Sequence, residues 1–216
     1  MTEHPITIPF QARYYRSGTI DASTKQIWIV LHGYGQLSQY FIKKFKPLDE
    51  KGICVIAPEG LSRFYLEELQ STGRKSNRVG ATWMTKEDRL TDIKNYMTFL
   101  DHVFKTEVGS SNIPVTVFGF SQGCATASRW ILSPNIRFER LLLWAGVFPP
   151  DMDFQLGGEI LRNKKVQIVY GTKDQFLNES RMDEMHSLIK KLNVSVEEIS
   201  FDGGHDVDGE TLLRIA

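Results

Sequence analysis

Residues 115–132 read Val-Thr-Val-Phe-Gly-Phe-Ser-Gln-Gly-Cys-Ala-Thr-Ala-Ser-Arg-Trp-Ile-Leu, and this stretch decides how the rest of the chain is read. Val115 to Gly119 is a short apolar run rich in β-branched residues, the composition of a buried strand, while the residues from Gly123 onward can begin a helix. Between the two, Gly119-Phe120-Ser121-Gln122-Gly123 spells G-x-S-x-G. A serine at such a strand-to-helix turn is held in a strained backbone conformation with its hydroxyl above the sheet, and the glycines relieve crowding on either side. Gly123, Cys124, Ala125, Ala127 and Ser128 are small enough to let the helix pack closely beneath the turn. Alone, the motif also fits a tight turn with an incidental serine, so the remainder of the chain has to supply the serine's partners.

Outward from this stretch, apolar runs alternate with segments of helical period. The runs are Ile27 to Leu31, Ile53 to Ala57, Leu141 to Trp144, Val166 to Tyr170 and Val194 to Ser200, with Arg13 to Ser17 as an additional edge strand. From Thr85 onward, Leu90, Ile93, Tyr96, Met97, Leu100, Val103 and Phe104 recur near 3.6 residues, an amphipathic helix for which Thr85 and Asp88 are the expected capping pair. Phe41, Ile42, Phe45 and Leu48 give a shorter helix with Pro47 placed to bend it, and Met182, Met185, Leu188, Ile189 and Leu192 give another. Strands alternating with helices imply an α/β chain with a mostly parallel central sheet and helices on both faces. Leu61 to Met84 breaks the pattern: it has little periodicity, the basic residues Arg74, Lys75 and Arg78, and aromatics at Phe64, Tyr65 and Trp83. An excursion of this length reads as a functional loop and a pocket wall.

The 216 residues fall within the size at which one core serves a whole chain, so residues 1–216 are expected to form a single domain. Lys plus Arg and Asp plus Glu number 26 each, which leaves no global field to attract nucleic acid. No run of apolar residues is long enough for a stable membrane insertion, and the first residues lack a secretory pattern, which places the protein in the cytoplasm. Cys54 and Cys124 read as buried small hydrophobes rather than as a required disulfide.

A serine hydroxyl is a weak nucleophile and needs a base, and the base needs a group that fixes its tautomer. For a G-x-S-x-G turn the partners follow in the order acid, then His, in loops after later strands. Asp174 follows the run Val166 to Tyr170, and His205 follows the run ending at Ser200. Asp202, Asp206 and Asp208 crowd the same loop as His205 and compete for the acid role by proximity alone. His102 falls opposite the apolar stripe of its helix, His186 flanks one, His4 is near a terminus, and His32 closes the first strand in Leu-His-Gly-Tyr-Gly, where its expected role is to shape the turn. Acyl transfer also needs two backbone N–H donors for the developing oxyanion. Gln122, next to the serine, offers one, and the His32-Gly33-Tyr34 turn the other, with Tyr34 the expected donor.

Leu-His-Gly-Tyr-Gly, Gly-Phe-Ser-Gln-Gly, Tyr-Gly-Thr-Lys-Asp and Gly-Gly-His, in that order over residues 31–205, resemble the carboxylesterase/phospholipase group of the α/β-hydrolase superfamily, which includes acyl-protein thioesterases and small bacterial-type carboxylesterases. The resemblance implies an α/β-hydrolase fold acting on a small-molecule ester or thioester without cofactor or metal. It also implies Ser121, Asp174 and His205 as the catalytic triad and the main-chain amides of Tyr34 and Gln122 as the oxyanion hole. Gly33-Tyr34-Gly35-Gln36 departs from the thioesterases, which usually carry Leu after His-Gly and Asp soon after; this favours a carboxylesterase over an acyl-protein thioesterase or lysophospholipase-like activity. Other readings are a non-catalytic hydrolase-fold binder of a small ligand, a dienelactone-hydrolase-like enzyme, against which Ser121 rather than cysteine at the turn argues, and a peptidase, which normally carries a further domain. Phe64, Tyr65, Trp83, Phe148 and Phe176 lie in loops after strands and are the expected substrate-binding aromatics, which would limit the acyl chain to short or medium length. Whether the chain is a monomer or a homodimer is left open.

Overall fold

The computed structural model describes residues 1–66 and 78–216; Arg74 and Lys75 of the excursion lie outside the described residues. In chain order the strands are β1 (Tyr14–Ser17), β2 (Gln26–Leu31), β3 (Ile53–Pro58), β4 (Ser62–Tyr65), β5 (Val79–Thr82), β6 (Val115–Phe120), β7 (Arg140–Trp144), β8 (Lys165–Gly171) and β9 (Glu197–Phe201). The helices are α1 (Ser38–Phe41), α2 (Arg89–Glu107), α3 (Gln122–Trp130), α4 (Phe154–Leu161), α5 (Glu179–Leu192) and α6 (Gly209–Ile215), with a 3-10 stretch at Ile42–Lys51. Seven strands form one sheet in the order β1-β3-β2-β6-β7-β8-β9. All neighbours run parallel except β1, which pairs antiparallel with β3 at the edge.

The central strands read as continuous apolar runs because both faces of the sheet are covered. Ile27, Ile29, Leu31, Val117, Leu141 and Ile168 meet Tyr96 and Leu100 of α2, Ala127 and Trp130 of α3, and Met185 and Leu188 of α5 on one face. On the other, Trp28, Val30, Phe118, Leu142, Trp144 and Val169 meet Phe41, Phe45 and Leu48 of the segment after β2 and Leu212 of α6. Parallel strands put all their C-terminal ends at one rim, and the loops carrying Gly33, Ser121, Asp174 and His205 leave from that rim.

Several local expectations give way to packing. The helix expected from Thr85 begins four residues later, and Asp88 is its N-cap with φ 44° and no side-chain capping bond. The Thr85 N–H instead donates to Asp92 Oδ2 at 3.1 Å. The Met84 carbonyl is held by Gln122 Nε2 at 2.9 Å, so the chain must turn sharply after it to enter α2, and left-handed Asp88 makes that turn. Leu90 is left 72% exposed. The segment after Ser38 is a single α-turn followed by a 3-10 stretch containing Pro47, which cannot donate an intrahelical bond. β9 starts at Glu197 rather than Val194, because Asn193, at φ 52°, ends α5 and Val194 and Val196 pack into the core before the strand begins. The excursion contains a hairpin in which β4 and β5 pair antiparallel, Ser62 opposite Thr82 and Tyr65 opposite Val79.

His32 follows β2 and is fully buried, with its Nδ1 2.8 Å from the Gly33 carbonyl. Its Nε2 accepts the Gly60 N–H at 2.9 Å, which fixes the neutral ring with the proton on Nδ1. Its carbonyl takes the indole N–H of Trp83 at 2.8 Å, and the two rings lie 5.0 Å apart. Burial pushes the imidazole down to about 4, from an ordinary value of 6.5. The unfolded chain therefore binds a proton that the folded chain refuses between pH 6.5 and about 4, and stability falls as pH drops through that window. The loss attributable to this one group is on the order of 3 kcal/mol. His32→Gln should be less stable than wild type at neutral pH but should lack this part of the acid sensitivity. Urea melts of both proteins from pH 7 to 4 measure it, and equal losses in the two would remove His32 from the account.

Candidate active site

Ser121 joins β6 to α3 with φ 53° and ψ −117°, a conformation that costs an L-residue on the order of 1–3 kcal/mol. The surroundings hold it there. The Ser121 N–H donates to the Trp144 carbonyl at the end of β7 (2.9 Å), and the Ser121 carbonyl accepts from Cys124 N–H (2.9 Å). The Cys124 thiol sits directly below, its sulfur 3.1 Å from the Gly119 carbonyl and 3.3 Å from that of Trp144. It is wholly buried, and burial raises its pKa, so it remains a protonated donor. Gly123 lies so close to the Leu31 carbonyl that a Cβ would collide with main chain, which is why the fifth position of the motif has to be glycine.

The loop after β8 and the loop after β9 bring Asp174 and His205 together. His205 Nδ1 lies 2.7 Å from Asp174 Oδ2, and the other carboxylate oxygen accepts the Phe176 N–H at 2.9 Å. The Asp174 side chain is 2% exposed and that of His205 20%, so the imidazole reaches the surface while its partner does not. The His205 ring is wedged between Phe120 and Phe176, at centroid distances of 5.0 and 4.7 Å. Phe120 is the residue before Ser121, which puts the imidazole beside the serine turn. The competing carboxylates are engaged elsewhere: Asp202 pairs with Lys173 (2.6 Å), Asp206 with Lys44 (2.6 Å), and Asp208 caps α6 through Thr211 N–H (2.7 Å). His186 is exposed beside Glu198.

The turn after His32 lies against the serine: a Cβ built on Gly33 would stand 3.1 Å from Ser121 Cβ. Gln36 Oε1 accepts the Gly33 N–H at 2.9 Å, so that donor is occupied. The Tyr34 and Gln122 N–H groups have no protein acceptor among the described residues. The turn is clamped from outside by β5, through Gly35 N–H to the Ala81 carbonyl (2.9 Å) and Ala81 N–H to the Gln36 carbonyl (3.2 Å). The Gln122 side chain completes the clamp: its Oε1 accepts the Trp83 N–H (3.1 Å), and its Nε2 reaches Thr82 Oγ1 (3.0 Å) and the Met84 carbonyl. The sequence reading passed over the side chains of Gln36, Thr82 and Gln122. For Gln36 a signal was present, a glutamine three residues after a glycine turn, the spacing at which a side chain can cap the turn's own N–H.

The five expected substrate-binding aromatics divide. Phe64, half-buried, lies 5.1 Å from the Tyr34 ring, Phe176 is 62% exposed against His205, and Tyr65 is 70% exposed. Trp83 and Phe148 are each 1% exposed members of the core, and neither presents surface to a substrate. Trp83 is drawn inward because its indole N–H finds the His32 carbonyl there. A groove of about 710 Å³ opens beside the turn, lined by Gln36, Gln39, Tyr40, Lys44, Leu66 and Arg78 among others; Leu66 and Arg78 belong to the excursion expected to form a pocket wall. Among the described residues no group of three His, Cys, Asp or Glu side chains is placed to hold a metal ion, and no helix is long and apolar enough to cross a membrane.

Among solved structures, acyl-protein thioesterase 2 of Zea mays superimposes with a TM-score of 0.71 at 17% identity, over 95% of this chain and 96% of that one. A Bacillus cereus carboxylesterase gives 0.64 at 18%, over 94% and 91%, and a phospholipase/carboxylesterase of Dyadobacter fermentans gives 0.63 at 16%, over 97% and 96%. At these identities the likeness establishes the α/β-hydrolase fold. No curated protein sequence matches the chain. The phospholipase/carboxylesterase family model, in contrast, matches residues 19–216, a span that contains the serine turn, the glycine turn beside it and the His205–Asp174 pair. The chain belongs to the phospholipase/carboxylesterase family.

Proposed function

We propose that the protein hydrolyses carboxylic esters of short to medium acyl chain through an acyl-enzyme formed on Ser121, with His205 as general base and Asp174 as the acid that orients it. The observation that carries this reading is the 2.7 Å contact between His205 Nδ1 and the buried Asp174 carboxylate, beside a serine at positive φ. Asp174 keeps the proton on Nδ1, leaving Nε2 to take the Ser121 hydroxyl proton as Oγ attacks the ester carbonyl. The oxyanion that forms is received by the main-chain N–H groups of Tyr34 and Gln122, which are rigidly aimed and need no reorganisation during the reaction. Collapse expels the alcohol, or a thiol from a thioester, with the proton returned by His205. Water then repeats the sequence to release the acid.

The chain-length part of the proposal is supported by the surface beside the turn. Among the described residues the groove mixes polar and charged side chains, Gln36, Gln39, Lys44 and Arg78, with Leu37, Tyr40, Phe41, Leu66 and Val79, so polar groups interrupt its apolar lining. Each buried methylene is worth about 0.8 kcal/mol, nearly fourfold in kcat/KM, so an apolar tunnel would reward long chains steadily whereas this surface stops rewarding them early.

Ser121→Ala is expected to abolish ester turnover and labelling by a fluorophosphonate probe while leaving the fold intact. Near wild-type activity in that variant would remove the serine from the mechanism, and absence of labelling in the wild type would favour a binding protein. Asp174→Asn should lower kcat on the order of 10⁴-fold, by analogy with the serine-protease aspartate. Asp202→Asn should have little effect, because its carboxylate points to Lys173 at the surface; a larger loss from Asp202→Asn would reverse the assignment.

With p-nitrophenyl esters from acetyl to palmitoyl, kcat/KM should climb and then level before the long chains. Phe176→Ala and Phe64→Ala should move the levelling point. Trp83→Ala is a poor probe, since emptying a core position costs stability on the order of 3–5 kcal/mol before it reports on any pocket. A continuous rise to palmitoyl would point to lipid-tail or acyl-protein substrates.

A further inference from the structure

Trp144 is the last residue of β7, paired with Phe120 of β6 on one side and Val169 of β8 on the other. It is fully buried. Its main-chain carbonyl receives the Ser121 N–H at 2.9 Å and lies 3.3 Å from the Cys124 sulfur. Its indole N–H donates to the main-chain carbonyl of Asp206, the residue after His205, at 2.8 Å. The ring is fixed between Phe118 and Phe201, with centroids 5.9 and 5.6 Å away, so it cannot swing while the sheet is intact. One rigid residue thus holds the serine turn by its backbone and the histidine loop by its side chain.

The other attachments of that loop are weaker or less direct. Lys44 reaches Asp206 Oδ1, but the Asp206 side chain is 64% exposed, and exposed ion pairs hold geometry loosely. Lys173 N–H donates to the Gly203 carbonyl at 2.9 Å, which ties the start of the loop to the segment after β8 rather than to the serine turn, while Asp206 N–H to Gly204 carbonyl and Val207 N–H to Asp206 Oδ1 are internal to the loop. Asp174 fixes the ring of His205 but sits in a loop of its own.

We infer that Trp144 is a positioning residue, whose indole N–H to the Asp206 carbonyl sets the distance between the Ser121 hydroxyl and the His205 imidazole. This rests on the reading of Ser121 and His205 given above. A buried indole N–H needs a partner in any protein, so packing alone would also produce such a bond. Trp28 supplies the comparison: it too is fully buried on the same face of the sheet, its N–H bonds to Gln26 Oε1 at 3.0 Å, and it lies toward the opposite rim.

The test measures kcat, KM and the rate of fluorophosphonate labelling for wild type, Trp144→Phe and Trp28→Phe, with thermal melts of each. Misplacing reacting groups by about an ångström costs on the order of 100-fold, so Trp144→Phe should lower kcat and the labelling rate together by roughly 10- to 100-fold with KM nearly unchanged. Trp28→Phe should lower Tm comparably and leave both rates alone. If Trp144→Phe does not fold, replacement of Trp144 by 3-benzothienylalanine keeps the ring and puts sulfur where the N–H was, and it should show the same loss. Unchanged kcat and labelling in whichever Trp144 replacement folds, or an equal loss in Trp28→Phe, overturns the inference. Wild-type protein lacking Ser121-dependent turnover overturns the parent reading as well, whereas Ser121-dependent turnover that is indifferent to Trp144 overturns this inference alone.

Discussion

A non-glycine residue at positive φ between a strand and a helix is unstable by itself, and Ser121 is kept there by what surrounds it. Its N–H is committed to the carbonyl that ends β7, its own carbonyl to the first turn of α3, and the Cys124 thiol lies against the Gly119 and Trp144 carbonyls from below. Each partner belongs to an element whose position is set by the parallel sheet. The strain is therefore balanced by two-sided burial of β6 and β7, and a serine projecting above the sheet follows from packing well away from it.

The turn beside the serine is organised by polar side chains. Gln36 occupies the Gly33 N–H and Gln122 ties α3 to the Thr82–Met84 segment, while main-chain bonds from β5 fasten the outside of the turn. At the base of the hairpin, Glu59 is buried and receives Arg13 (2.8 Å), Arg63 (2.7 Å) and the Ser38 N–H (3.2 Å). Burial alone would push its carboxyl up, but the hydrogen bonds from Arg13 and Arg63 outweigh that and hold it below its ordinary value. A charge so enclosed is tolerated because each of its partners arrives from a different segment, and this cross-links the start of β1, the start of α1 and β4.

The sheet was legible in the sequence because two-faced burial leaves uninterrupted apolar runs, and Ile27 to Leu31 or Val166 to Tyr170 could be read almost to the residue. β4 and β5 were not, since Gly80 and Ala81 carry no strand signal and the hairpin is stabilised by what it clamps rather than by its own side chains. The approach of His205 to Asp174 was anticipated from strand order, but the engagement of Asp202, Asp206 and Asp208 elsewhere depends on contacts such as Lys44 to Asp206, across 162 positions, which no local pattern encodes. Trp83 and Phe148, expected to line the pocket from loops after strands, lie in the core instead. Loop position does not decide burial: the Trp83 indole N–H finds the His32 carbonyl inside, and Phe148 joins the apolar cluster on that face of the sheet.

The order in which the strands leave the ribosome differs from their order across the sheet. β3, β2 and β6 lie side by side in the sheet and are made before β7 and β8, whereas β9, at the far edge, follows them and delivers His205. Domains tend to form as they are synthesised, so a nascent chain can build most of its core, with Ser121 already at its strained turn, before the imidazole exists. Until β9 docks along β8, such an intermediate exposes a bare parallel edge at β8, the sort of template on which chains pair wrongly. The last strand laid down thus has two duties at once, sealing the sheet against self-association and bringing His205 to Asp174.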